Sequence, residues 1–513
     1  MLLASLANFL THNDYPYFRL EVGLIVVGIL GLAGLMAAWY IPQRQWGRSF
    51  LEGLLAAVFV DLNTYSVWPI FVGGIGVGLF TAWRSISLLA LMAIMGSIVF
   101  VTTIAGVGGR PTWIETEIGT APTQPASGRP AVVHLILDEH IGIEGLRLED
   151  SEAAALANQL SAAYQEAGFT VYGGAYSEHY HTANSIPYML NYGQRLGLSA
   201  RNSGVEAGPT EHLQALVDQG YRLKVLQARY ADICSGSRFQ QCTTYDQSGL
   251  GPTLAVPIST GERVELILHK SLTLSIIVQT AVELWDGAAR GLSDFGIDLP
   301  TLDNLGRSSS VGAFGALTLL ETELTQARPG DAFFAHLLLP HHPYVLNRDC
   351  RYAQRPWLSL WSIASVPAKQ SAYREQLRCT MAKINDLLKA LSRSPARSNN
   401  IVIIHGDHGS RIAKRLNHDN QETGQFDDDE LIAAFSTLFA VRTSAPNPGY
   451  QSRRAPVSTL LREFAESDFR ALPNPFPRQN HTVVLADGNW KPVRRVPLPT
   501  WWAKGLDRPA VGQ

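Results

Sequence analysis

The feature that most limits what this chain can fold into is a change of character near residue 108. Residues 20–107 are almost all apolar, whereas the sequence beyond them has the mix of an ordinary globular protein. A chain so divided is expected to pair a membrane part with a soluble one. Four apolar segments stand out, at roughly 21–41 (EVGLIVVGILGLAGLMAAWYI), 50–62, 66–83 (SVWPIFVGGIGVGLFTAW) and 87–108 (SLLALMAIMGSIVFVTTIAGVG). The first and last are long enough to cross about 30 Å of hydrocarbon as helices. The second is short, and a re-entrant or interfacial piece is its alternative. The opening MLLASLANFL lacks a basic flank and reads as interfacial rather than as a signal peptide. Residues 1–108 are therefore expected to form a transmembrane domain of about four helices.

Orientation follows from the connecting loops. Arg44 and Arg48 lie between the first two segments and Arg84 between the last two, while DLNTY at 61–65 carries an acid and no base. By the positive-inside rule the arginine-bearing loops are cytoplasmic, which leaves everything after residue 108 outside. The cysteines suit that side: Cys234 and Cys242 make one simple pair and Cys350 and Cys379 a second, although four cysteines allow three pairings. With 17 % charged residues and a net charge of -2, nothing points to a nucleic-acid partner.

Residues 109–130, RPTWIETEIGTAPTQPASGRP and its surroundings, read as an extended linker. From residue 131 to the end at 513, strand and helix patterns alternate. AVVHLILDEH, DAFFAHLLLP and NIVIIHGDHG have the short continuous apolar runs of buried parallel strands. SEAAALANQLSAAYQEAG and YREQLRCTMAKINDLLKAL carry helical spacing, and AAFSTLFAVR closes the series as a last strand. Such alternation predicts an α/β domain, a largely parallel sheet with helices on both faces. Functional groups in such sheets gather beyond the carboxyl ends of the strands.

Three strand ends are rich in metal- or phosphate-competent residues. They are Asp138-Glu139-His140, Pro340-His341-His342-Pro343-Tyr344 and His405-Gly406-Asp407-His408-Gly409. A hydroxyl is a weak nucleophile at neutral pH and needs a base or a metal to activate it. A divalent cation held by Asp138, Asp407 and His408 would do so for Thr182 of HYHTANSIPYML, which could itself complete the ligand shell. Mixed oxygen and nitrogen ligation suits zinc or manganese better than calcium.

These residues resemble the alkaline phosphatase superfamily. Within it TANSIP is similar to the T-A-x-S-V-P of lipid A phosphoethanolamine transferases, HLLLPHHPY to their H-x4-H-x-P stretch, and HGDHGS to the shared D-H-G motif. Lipoteichoic acid synthases share the plan of membrane helices followed by an outward catalytic domain. The resemblance covers roughly residues 130–445. It implies an alkaline-phosphatase-like domain over residues 131–513 in a multi-pass enzyme of the bacterial inner membrane, its catalytic domain facing the periplasm or exterior. It also implies Thr182 as nucleophile and ligand, Asp407 and His408 as ligands, and His341 at the reacting group with His336 nearby. A phospholipid donor and a glycan or glycolipid acceptor, such as lipopolysaccharide, would be the partners.

The chain departs from that pattern in two ways. The transferases carry Glu at the first ligand, whereas this chain offers Asp138 and then Glu139, so either acid could bind; Asp138 is preferred. Their cysteines flanking the nucleophile are missing. No C-x-P-x-R or S-x-P-x-R sulfatase signature is present, nor an Asp-x3-His pair for a second full metal site. His342 is a further substrate-contact candidate, as are Arg411, at the head of the cationic run with Lys414 and Arg415, and His418. A hydrolase using water as acceptor and a non-catalytic glycan-binding relative are the rival functions.

Overall fold

The computed structural model describes residues 2–13, 15–40, 114–119, 128–194, 205–206, 208–235, 238–246, 259–273, 285, 309–352, 366–412, 426–444, 447–471, 473, 481–486 and 492–499. The apolar segments at 50–62, 66–83 and 87–108, and the residues Lys414, Arg415 and His418, lie outside them. The chain divides into two compact units, Met1–Trp113 with Ser248–Arg307, and Ile114–Gln247 with Ser308–Gln513.

In the first unit, α1 (Leu2–His12) precedes α2 (Leu20–Tyr40), whose single charged residue is Glu21. Leu20, Leu24, Val27, Leu30, Leu32 and Leu35 of α2 are exposed. Among the described residues no helix is long and apolar enough to cross a membrane. Glu21 is buried, accepts a hydrogen bond from the Tyr15 hydroxyl at 2.5 Å and lies 3.7 Å from Arg263 of the helix Thr260–Thr273. Arg263 belongs to residues 248–307, which interrupt the stretch 131–513 and group with the N-terminal residues.

The second unit is built on a nine-stranded sheet. Its strands are β1 (Ile114–Ile118), β2 (Ala131–Leu137), β3 (Thr170–Tyr172), β4 (Arg222–Ala228), β5 (Gln241–Tyr245), β6 (Asp331–Leu337), β7 (Asn400–Gly406), β8 (Phe439–Arg442) and β9 (Gly449–Gln451). Their order is β1-β5-β4-β6-β2-β7-β8-β3-β9. The middle five, β5 to β7 in that order, are parallel, while β1 and β8 run against their neighbours. The sheet is thus largely parallel, as the alternation predicts. β8, the AAFSTLFAVR strand, is antiparallel because the chain after β7 returns from the same end of the sheet. β1 falls inside the stretch expected to be linker, where IETEI pairs along the sheet edge beside β5.

Helices α3 (Ser151–Glu166), α4 (Thr182–Leu190), α5 (Glu211–Asp218), α6 (Ser309–Leu324), α7 (Val366–Arg393), α8 (Asp428–Phe435) and α9 (Val457–Glu466) accompany the sheet. On one face Val132, Ile136, Phe334, Ile401 and Ile403 form a single apolar core with Met189 and Leu190 of α4, Leu213 and Leu216 of α5, and Leu460 and Phe464 of α9. The alternate residues Val133, Leu135, Phe333, Val402 and Ile404 are buried as well. Burial on both faces explains why these strands read as unbroken apolar runs. Cys234 is bonded to Cys242 and Cys350 to Cys379, the two pairs anticipated from spacing.

Candidate active site

β6, β2 and β7 are neighbours and parallel, so the residues just past them come together at one edge. Register adds a further constraint. Ile136 pairs with His336 on one side and His405 on the other. Successive strand residues alternate faces, so counting by twos sets Asp138, Asp407 and His336 toward the same side of the sheet. Thr182 reaches that side as the first residue of α4.

Thr182 is 5 % exposed, and its Oγ1 donates to Asp138 Oδ2 at 3.3 Å while lying 3.3 Å from His408 Nε2. His408 Nε2 is 3.4 Å from Asp407 Oδ2, and His336 Nε2 is 3.4 Å from Asp138 Oδ2. His408 donates from Nδ1 to the Gly409 carbonyl at 2.8 Å, so in the neutral ring Nε2 presents a lone pair to the carboxylates. Asp407 is oriented through its other oxygen, Oδ1, which accepts the N–H groups of Glu139 at 3.1 Å and His408 at 2.9 Å. The glycine of the D-H-G run is required sterically, because a Cβ on Gly409 would collide with the carbonyl oxygens of Ala433 and Ser436.

Four of the inward atoms make no hydrogen bond. Asp138 Oδ1, Asp407 Oδ2 and both ring nitrogens of His336 are buried without a hydrogen bond. Buried polar atoms are almost always paired, so orphans on three neighbouring residues are informative. Asp138, His336 and Asp407 each bring a ligand atom within 4.8 Å of the others, a group that could hold a metal ion. Two carboxylates and an imidazole, with a hydroxyl beside them, fit a divalent cation of the zinc or manganese kind. The acidities agree with this strain. Burial pushes the Asp407 carboxyl up and the charge of Asp138 adds to it. For Asp138 burial acts in the same direction, but His341, His336 and His408 outweigh it and hold the group below the usual carboxylate range.

Glu139 goes elsewhere. Its φ of 62° turns the chain, and Tyr373 holds the turn by donating to the Glu139 carbonyl at 2.6 Å and accepting the Ile141 N–H at 3.0 Å. Its Oε1 accepts from Arg411 Nε at 2.8 Å and lies 2.6 Å from Nη2. Its Oε2 accepts the His342 N–H at 3.2 Å and the Tyr344 hydroxyl at 3.3 Å. Burial would raise the Glu139 carboxyl, but Arg411, His341 and His342 hold it well below its usual range. Arg411 Nη2 also lies 3.3 Å from His341 Nε2, and His341 Nδ1 donates to the His342 carbonyl at 2.5 Å. Glu139, His341 and His342 form a second group of metal-competent spacing. The guanidinium already occupies that role, and a divalent ion on the same carboxylate would meet its charge at close range.

The predicted residues therefore fall into two clusters. Asp138, Thr182, His336, Asp407 and His408 make one, and Glu139, His341, His342 and Arg411 the other. His418 lies outside the described residues. Two features escaped sequence reasoning. His336, expected near the substrate, stands among the carboxylates. Tyr230, just past β4, is close enough to the centre that burial and the charge of Asp138 push its phenol up to about 12. The rule of strand ends, applied to β4 as well, would have pointed to it.

No protein-family model matches the chain, and no curated protein matches it. Solved structures do. The chain is similar to the C-terminal periplasmic domain of EcEptC from Escherichia coli, at 12 % identity and a TM-score of 0.41 over 74 % of this chain and 95 % of that one. It is similar to the lipoteichoic acid synthase LtaP from Listeria monocytogenes, at 10 % identity and a TM-score of 0.39 over 74 % and 79 %. A phosphonate monoester hydrolase of Agrobacterium radiobacter matches at 11 % identity and a TM-score of 0.37 over 66 % and 73 %. Likenesses this distant leave the chemistry to be argued from the chain's own residues.

Proposed function

We propose that the protein is a membrane-bound, metal-dependent transferase that moves a phospho-headgroup from a phospholipid to an envelope glycan or glycolipid through a phospho-threonine intermediate. One observation carries the reading: the Thr182 hydroxyl sits between the Asp138 carboxylate and the His408 lone pair, beside buried ligand atoms that make no hydrogen bond.

Asp138, Asp407, His336 and His408 are the residues that would hold the cation, with Thr182 Oγ1 beside them. Bound there, a divalent ion supplies Lewis acidity toward phosphoryl oxygens and favours the ionised form of a nearby hydroxyl. The protein's own groups do the rest. Thr182 Oγ1 attacks phosphorus and its proton leaves along the existing bond toward Asp138. An Oγ1–P bond forms as the P–O bond to the lipid glycerol breaks. The departing oxygen takes its proton from His341 in its imidazolium form; in the second step His341 regains one from the acceptor hydroxyl, and Asp138 gives its proton back to Thr182 Oγ1 as the Oγ1–P bond breaks. Thr182 opens α4, so a phosphoryl group on it meets the positive end of the helix dipole. Arg411, fixed by Glu139, offers its remaining N–H groups to the non-bridging oxygens.

Donor and acceptor are tested together. The purified full chain, supplied with headgroup-labelled phosphatidylethanolamine or phosphatidylglycerol and a lipopolysaccharide acceptor, is expected to yield labelled glycan. Free headgroup without labelled glycan would mean water is the acceptor and the enzyme a hydrolase. Neither product, with metal bound, would leave a non-catalytic binding protein.

A further inference from the structure

Beneath the site lies a group of histidines for which the chemistry above has no use. His134 on β2, His212 on α5 and His405 on β7 are fully buried. His134 Nδ1 is 2.9 Å from His212 Nε2, and His134 Nε2 is 2.8 Å from His405 Nε2. The row ends at the Gly406 carbonyl, 2.8 Å from His405 Nδ1, and begins at the Tyr192 hydroxyl, 3.4 Å from His212 Nδ1.

One carbonyl decides every proton in the row. A carbonyl can only accept, so His405 carries its hydrogen on Nδ1 and turns a bare Nε2 toward His134. His134 must then donate from Nε2 and accept at Nδ1. His212 must donate from Nε2, and its Nδ1 accepts from Tyr192. With one hydrogen on each ring, no other arrangement makes every bond. The surroundings sharpen the point. Val132, Ile136, Phe334, Ile403 and Leu213 form the apolar core around the row. An apolar filling of the same volume would be about as stable there, because buried polar groups recover little net free energy even when paired. What such a filling lacks is direction.

The row also joins the parts of the site that must agree. Tyr192 lies two residues past the end of α4, whose first residue is Thr182. His134 is four residues before Asp138, and His405 two before Asp407. We propose that Tyr192, His212, His134 and His405 are positioning residues, a one-way hydrogen-bonded relay that holds the helix of the nucleophile in register with the two strands that carry the metal-binding carboxylates. The relay rests on the reading of Thr182, Asp138 and Asp407 as the reaction centre. It touches neither substrate nor metal and acts only through the backbone it ties. Sliding α4 against β2 or β7 would break bonds with fixed donor and acceptor ends, which an apolar contact would tolerate.

Two measurements on the full chain test it. Selective 15N-histidine labelling should find three neutral rings, His405 as the Nδ1–H tautomer and His134 and His212 as Nε2–H. A reversed tautomer, or a charged ring at neutral pH, would overturn the relay whether or not any activity is found. For the second, His134→Leu and His134→Gln are compared on a chromogenic phosphodiester. Misplacing reacting groups by a fraction of an ångström lowers turnover steeply, so kcat should fall about tenfold in His134→Leu with KM within about twofold. His134→Gln, whose amide both donates and accepts, should recover most of it. A folded His134→Leu with wild-type kcat and only a lowered Tm would show a purely structural role and overturn the proposal. Should the wild type turn over no diester, the proposed function fails and the tautomers alone decide the relay.

Discussion

Asp138 and Glu139 are consecutive residues that serve two pockets of nearly the same composition. Each pocket has three groups at metal-binding distance, two carboxylates and an imidazole around Asp138 and one carboxylate and two imidazoles around Glu139. Around Asp138 the inward oxygens and nitrogens are buried without partners. Around Glu139 every acceptor is taken, by Arg411, His342 and Tyr344. The difference is one of charge balance. A pair of carboxylates needs a cation from outside the chain, while a single carboxylate facing an arginine has one already. Residue content alone would have named two metal sites; the count of satisfied atoms leaves one.

Experiments can break that comparison or make it finer. The largest effect is expected at the nucleophile. Thr182→Ala should lower turnover at least about a thousandfold while metal stays bound, because no neighbouring group can replace the attacking oxygen. Next come the two acids. Asp407→Asn should weaken metal binding by roughly a hundredfold, measured by titrating zinc or manganese into the metal-free full chain. Glu139→Gln should leave metal affinity almost unchanged and instead cost about 3 kcal/mol of stability, since it strands a largely buried guanidinium. Metal lost on Glu139→Gln and kept on Asp407→Asn would reverse the assignment. Arg411→Lys should then lower kcat/KM by about tenfold with metal intact, because an ammonium cannot reproduce the two-pronged grip on Glu139.

The last effect falls on stability alone, as a pH dependence. Burial depresses His212 and His342 from 6.5 to about 3. In the unfolded chain both take a proton near the ordinary value, so below it the unfolded state binds more protons than the folded one. Stability should therefore be intact above about pH 6.5 and fall as pH drops from there toward about 3, by about 1.4 kcal/mol per pH unit for each ring. Thermal unfolding between pH 7 and pH 4.5 checks this. A Tm that does not move over that range would mean the rings are not held neutral.

How much of this was legible beforehand depended on range. Apolar runs announced β2, β6 and β7, because burial on both faces leaves a mark in the strand itself. Asp407, His408 and Thr182 stood out for a related reason, each lying in a short motif at a predicted element end. The sequence left Asp138 and Glu139 both open with Asp138 preferred, and what separates them in the fold is one left-handed residue and a hydroxyl from Tyr373, far away in the chain. The histidine row was invisible for a stronger reason. Its members stand at 134, 212 and 405, and only the fold makes them neighbours. β1 was missed because its side chains beyond Ile114 are exposed, so IETEI carries no burial signal and its Pro- and Thr-rich surroundings dominate.

The central claim is that Thr182 carries the phosphoryl group between donor and acceptor. Incubating the metal-loaded full chain with a phospholipid donor, quenching in acid and mapping peptides by mass spectrometry tests it directly. The account predicts a phospho-headgroup adduct on the peptide containing Thr182, absent in Thr182→Ala and discharged when acceptor is added before the quench. An adduct on another residue, or undiminished transfer by Thr182→Ala, would contradict it.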